Sequence, residues 1–153
     1  HQQQADLTKP AKAEKPSHSL IDKVSKIIIA EDVSLNMILV RKLVNDFLPQ
    51  AEIYEAKNGK EVLELLSSTH PDLILTDLQM PEMDGYEATR AIREKQKPGE
   101  PPIPIIALTA GAIRGEREKC LQAGMNDFLS KPIDRQALET VLAKYLQAKA
   151  SDA

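Results

Sequence analysis

The chain has a single cysteine, Cys120, among 153 residues. No internal disulfide can form, which suits a reducing compartment. No apolar run approaches the roughly 20 residues a membrane helix needs, so no membrane contact is expected. The N-terminus is rich in Gln, Lys and Ala and has no apolar core, so it does not read as a signal peptide. A cytoplasmic location is the expectation. Positive charge is not in excess: 20 Lys and Arg against 23 Asp and Glu give a net charge of -3. With no basic patch, nucleic acid is not an expected partner. Internal repeats and coiled-coil heptads are absent. What remains is 42% hydrophobic and 28% charged, the balance of a soluble globular domain, and the length suggests one domain. Cys120 has no nearby His or basic pair to activate it and reads as a structural thiol.

Residues 1–24 read as a linker or disordered tail, because their Gln, Lys, Pro, Ser and Ala cannot bury much apolar surface. Within them, Ser19 to Val24 could form a short helix, and His1 and His18 read as solvated. Residues 25–148 read as the folded domain and 149–153 as a C-terminal tail. Lys26 to Ala30 carries an Ile-Ile-Ile run, the mark of a strand buried on both faces. Ser34 is placed to cap a helix whose apolar stripe is Leu39, Leu43 and Phe47, with Val40 and Val44 beside it. Ala51 to Ala56 alternates as an edge strand does, and Asn58-Gly59 reads as a turn. Val62, Leu63, Leu65 and Leu66 form the next helix, which His70-Pro71 closes.

Leu73 to Thr76 is a second buried strand, and Asp77 follows where it ends. Pro81 and Gly85 mark a loop, and Tyr86 to Lys95 is helical. After a Pro-rich loop, Ile105 to Leu108 is a strand, Gly115 to Ala123 a weaker helix stopped by Gly124, and Asp127 to Ser130 the last strand. Asp134 caps a final helix with Leu138, Val141, Leu142, Tyr145 and Leu146 on one side. Five strands alternating with five helices predict a flavodoxin-like, doubly wound α/β fold. Its five-stranded parallel sheet would have the order 2-1-3-4-5, which puts the Ile-rich strand inside and the alternating one at an edge.

Parallel strands bring their carboxyl ends to one side. That gathers Glu31, Asp32, Asp77, Thr109 and Lys131 into one crevice. Three carboxylates so close repel one another, and a hard divalent cation relieves the repulsion. With oxygen donors and no nearby His or Cys, the pattern favours Mg²⁺ or Mn²⁺ over zinc. Asp77 could serve as both ligand and nucleophile. Lys131 and Thr109 could hold phosphoryl oxygens. Each piece alone has a plain reading: an acidic pair after a strand is commonly a turn, and Lys-Pro is commonly surface. Their succession at consecutive strand ends is what carries the signal.

The motifs Glu31-Asp32, Asp77 to Pro81 with Asp84-Gly85, Thr109-Ala110 and Lys131-Pro132 resemble those of response-regulator receiver domains of two-component signalling. The resemblance runs from about Lys26 to Gln147. It implies that Asp77 accepts a phosphoryl group from a partner's phosphohistidine, on a histidine kinase or a phosphotransfer domain. It implies Mg²⁺ held by Glu31, Asp32, Asp77 and the backbone carbonyl of Gln79. Thr109 would bind the phosphoryl group and Phe128 would be the aromatic switch residue, without the hydroxyl a Tyr would bring. A cis peptide at Lys131-Pro132 is plausible. Val33, Leu35, Met37 and Ile38, apolar beyond what one buried stripe needs, are expected to supply part of this chain's docking patch for the partner; that they simply pack on the sheet is the alternative reading. The stretches Glu31 to Asn36 and Phe128 to Ile133 resemble receivers of hybrid histidine kinases, so the expectation is the C-terminal receiver of such a kinase, whose parent could be membrane-anchored.

No DNA-binding output domain is expected after the last helix, and a monomer or weak dimer is. The chain is not expected to be an enzyme beyond catalysing its own phosphorylation and dephosphorylation, and none of its three His residues sits in a kinase-like phosphoacceptor box. A stand-alone response regulator is the second reading. An aspartyl-phosphate phosphohydrolase is a third. Against it, no substrate-sized insertion is present, and Gln79 stands where a second catalytic carboxylate would be needed. A flavodoxin-like nucleotide binder would want a Gly-, Ser- or Thr-rich loop after the first strand, where Glu31 and Asp32 would repel phosphate.

Overall fold

The computed structural model describes residues 24–111 and 114–152, with side chains described up to Leu146. The expected helix at Ser19 to Val24, His1 and His18 therefore lie outside the described residues, apart from Val24 itself. Five strands, β1 (Lys26–Ala30), β2 (Glu52–Ala56), β3 (Leu73–Asp77), β4 (Ile105–Thr109) and β5 (Asp127–Ser130), form one sheet in the order β2-β1-β3-β4-β5. Every neighbouring pair is parallel. Between them run α1 (Ser34–Phe47), α2 (Gly59–Thr69), α3 (Gly85–Lys95) and α4 (Glu116–Ala123), and α5 (Arg135–Asp152) follows the last strand. The final helix thus continues through residues that the sequence set apart as a tail.

Alternation along the strands explains the Ile run. Successive side chains point to opposite faces, so Ile27 and Ile29 join Leu73, Leu75, Ile106 and Leu108 beneath α1 and α5. Ile28 and Ala30 join Ile74, Ile105 and Ala107 on the other face, packed with Val62 of α2, Ile92 of α3 and Cys120 of α4. Both layers are fully buried, which fixes the register: a one-residue slip would exchange the two faces.

On α1 the structure departs from the expected stripe. The buried residues are Met37, Val40, Val44 and Phe47. Spacings of three and four keep a row on one side of a helix, whereas a strict four-residue row drifts by about 40° per step at 3.6 residues per turn. Starting from buried Phe47, that drift leaves Leu43 half-buried and Leu39 52% exposed. Ser34 is not the cap either. Val33 takes that position without a side-chain hydrogen bond, and Ser34 is the first helical residue. Asn58 does more than turn the chain: its side chain accepts from the Glu61 N–H and caps α2. Asp84 caps α3 through a full capping box with Glu87. Asp134 accepts from the Ala137 N–H at the start of α5.

Candidate functional site

The carboxyl ends of β1, β3, β4 and β5 meet as the topology requires. Glu31 follows β1 and is buried, and its N–H donates to Ala56 O at 2.9 Å, which extends the ladder to β2. Asp32 beside it is exposed. Asp77 is itself the last residue of β3 and is 8% exposed. Thr109 ends β4, one register position beyond Leu108, the partner of Asp77. The Lys131 N–H donates to Thr109 O at 2.7 Å, so the two residues share one strand-end junction. The following Lys131-Pro132 peptide is cis.

Lys131 centres the site. Its Nζ donates to Glu31 Oε1 at 2.9 Å and to Asp77 Oδ2 at 3.1 Å. The other oxygen of Glu31 accepts from the Val33 N–H at 3.1 Å. Glu31 is therefore held at both ends and acts as a fixed anchor. Burial, the largest single influence, pulls the Lys131 pKa down, but its hydrogen bonds to Glu31 and Asp77 together with their negative charges leave it above the ordinary lysine value. The ammonium is charged throughout the neutral range. Its stabilising contribution is complete below the ordinary lysine value and is lost only as pH rises through the higher folded-state value.

Ligand oxygens from Glu31, Asp32 and Asp77 all lie within 4.8 Å of one another. Opposite oxygens around Mg²⁺ at about 2.1 Å are about 4.2 Å apart, so small side-chain rotations suffice. The donors are all oxygen, and exposed Asp32 leaves room for the waters such an ion keeps. The set fits a hard divalent cation. Gln79 is exposed on the loop two residues beyond Asp77. Thr109 is buried, and its hydroxyl donates to Gly111 O across a long 3.4 Å. Phe128, half-buried on β5, packs against the core layer under α2, α3 and α4.

Two features of the site carried no reading as site residues. Gly85 is required where it stands, since a Cβ there would lie 2.3 Å from the Asp77 carbonyl oxygen. Its N–H closes the loop on Leu78 O at 3.0 Å. Gly85 marked a break in the chain with Pro81, and Asp84-Gly85 was one of the motifs of the resemblance, but neither gave a hint of that approach. The second is the Val33 N–H, a backbone group that sequence cannot single out. Cys120 is buried and its thiol pKa is raised, chiefly by burial, as a structural thiol's would be.

Beside the cleft, the outer side of α1 exposes Val33 (48%), Leu35 (64%) and Ile38 (62%). Met37 is corrected: at 6% exposure it belongs to the core, because it starts the buried row that continues through Val40 and Val44. Leu39 takes its place on the surface. With Leu43, Pro132 and Ile133 it lines a groove of about 360 Å³ that also includes Lys131, Lys42 and Arg135. Among the described residues, no helix is long and apolar enough to cross a membrane.

Comparison with known proteins gives the family. Residues 27–143 match the family described as response regulator receiver domain. The sensor histidine kinase GacS of Pseudomonas protegens is 35% identical over 144 residues, 92% of this chain and 15% of that protein. The chain spans only 6% to 15% of the length of the curated relatives it matches. The receiver domain of sensor histidine kinase PA1611 from Pseudomonas aeruginosa PAO1, solved with magnesium in its active-site cleft, is 34% identical with a TM-score of 0.71, covering 82% of this chain and 99% of that one. The receiver domain of Ssk1 from Saccharomyces cerevisiae, solved with the histidine phosphotransfer protein Ypd1, is 28% identical with a TM-score of 0.71, covering 80% and 88%. The chain belongs to the response regulator receiver domain family, as a phosphorelay receiver homologous to those of hybrid histidine kinases.

Proposed function

We propose that Asp77 is the phosphoacceptor of this receiver and takes its phosphoryl group from a phosphohistidine in a Mg²⁺-dependent step. The observation that carries this is the Lys131 ammonium bridging Glu31 and Asp77 inside an all-oxygen cluster. In the transfer, an Asp77 carboxylate oxygen forms the new bond to phosphorus. The N–P bond breaks, and the imidazole leaves with the electron pair, neutral because its other ring nitrogen carries a proton. Glu31, Asp32, Asp77 and the Gln79 carbonyl would hold the ion. When bound, it would supply positive charge against the phosphoryl oxygens. Lys131 is already 3.1 Å from Asp77 and moves with its proton onto a phosphoryl oxygen. Thr109 gives up its long bond to Gly111 and donates its hydroxyl to another.

Phosphorylation adds about 1.5 to 2 negative charges and strong acceptors. A few charge-assisted hydrogen bonds of about 1.5 to 3 kcal/mol each match the roughly 5.5 kcal/mol needed to drive a switch from 1:99 to 99:1. As Thr109 is drawn in, Phe128 fills the space beside β4. The surface of α4, β5 and α5 changes with it.

The donor is a helical His-bearing domain; that the similar receiver domain of Ssk1 is solved with a histidine phosphotransfer protein supports a donor of this class. Val33, Leu35, Ile38 and Leu39, with the groove beside them, are its docking surface. The chain works as a monomer or weak dimer in the cytoplasm, as the receiver of a hybrid sensor histidine kinase. Asp77→Asn tests the assignment. It should fold and melt like the wild type yet take up no phosphoryl group from a phosphorylated partner. Stoichiometric uptake by the variant would move the acceptor elsewhere.

A further inference from the structure

We propose that Arg117, in the first turn of α4, is a positioning residue that holds Phe128 in its resting place and so sets how readily this receiver switches. The inference rests on the switch reading above. The Arg117 guanidinium carbon stands 5.5 Å from the centroid of the Phe128 ring, within the roughly 6 Å reach of a cation–π contact. The ring is half-buried and has no hydroxyl with which to hydrogen-bond to solvent. The cation above it is the polar group that favours leaving it there.

The side chains beside the ring across the sheet are small. Ala56, Ala30, Thr76, Ala107 and Phe128 are register partners in turn across the whole sheet. The β4 residue paired with Phe128 offers only a methyl group, and burying more of the ring against that small-residue row gains apolar contact. Moving inward costs the ring its contact with Arg117. The first turn of α4 is lightly seated. Its N-cap, Gly115, provides no side-chain hydrogen bond. The neighbouring Glu116 keeps a buried carboxylate oxygen, Oε1, with no hydrogen-bond partner among the described residues. A buried acceptor left in this way disfavours the position it occupies, so α4 rests under opposing influences: Glu116 against its seat, and Arg117 for it.

A cation–π contact at an exposed site changes an equilibrium by about two- to fivefold. Arg117→Ala should therefore bind beryllofluoride, a phosphoryl mimic, two- to fivefold more tightly at saturating Mg²⁺. Without Mg²⁺ or mimic, its Phe128 ring resonances should shift a few per cent of the way toward their beryllofluoride-bound positions, as a two- to fivefold change from about 1:99 requires. Arg117→Gln keeps the side-chain stem but not the charge and should act like Ala. Arg117→Lys keeps a cation and should restore most of the wild-type behaviour, which a purely space-filling role would not require. Arginine variants that match the wild type in both affinity and ring shifts would overturn the proposal. A wild-type Phe128 that ignores bound beryllofluoride would overturn the switch reading itself, and the two failures are told apart by that wild-type control.

Discussion

The strand-end cleft and the outer side of α1 lie next to each other and are built on different principles. Three of the cleft residues are fixed by strands: Glu31 by its bond to β2, Asp77 as the last residue of β3, and Lys131 by its bond to Thr109 on β4. A sheet with buried faces on both sides allows one register, so position in the chain dictates position in space. The outer face of α1 depends instead on how the helix is rotated, and no ladder sets that rotation. It is decided by which apolar row packs best on β1 and α5, and because Met37 and Leu39 lie about 160° apart around the helix, that rotation decides which of them is buried.

The strongest way to probe the cleft is to remove a ligand. Asp32 is exposed, so Asp32→Ala should fold normally. Its phosphorylation by a small phosphodonor should slow at least tenfold, and Mg²⁺ should raise its melting temperature far less than that of the wild type. Mg²⁺ binding to the assembled site alone is what links it to stability. A melting temperature indifferent to millimolar Mg²⁺ in the wild type would count against the carboxylate cluster as a cation site.

The rotation of α1 is tested by paired truncations. Met37→Ala should cost about 2 to 5 kcal/mol as a buried Met-to-Ala change. Leu39→Ala, at an exposed position, should stay within about 0.5 kcal/mol. Denaturant melts of both variants check this, and equal losses would mean that the helix is turned differently. A smaller, more selective effect is expected from charge on the exposed face. Ile38→Asp should slow transfer from a phosphohistidine partner several-fold and leave the rate with a small phosphodonor unchanged. Slowing with both donors would point to damage to the cleft rather than to docking.

Much of the architecture was legible in the sequence because strands of this type announce themselves. The run of Ile27, Ile28 and Ile29 reads as doubly buried without reference to anything else. The alternation of Glu52, Ile53, Tyr54 and Glu55 reads as an edge. From these the order of the sheet and the gathering of Glu31, Asp77, Thr109 and Lys131 follow. What was not legible depended on contacts between elements. The capping role of Asn58 requires knowing that α2 begins at Gly59, and the need for Gly85 arises only when α3 is brought against the Asp77 carbonyl. Arg117 is unremarkable in a charged helix until β5 places Phe128 beneath it.

The central claim is that Asp77 carries the phosphoryl group in a cation-dependent cleft. The most direct measurement is peptide mapping by mass spectrometry after incubation with a small phosphodonor, once with Mg²⁺ and once with a chelator. The account predicts near-stoichiometric uptake of a single phosphoryl group on the peptide containing Asp77 with Mg²⁺, and almost none with the chelator. A phosphoryl group on another residue, or uptake indifferent to the chelator, would contradict it.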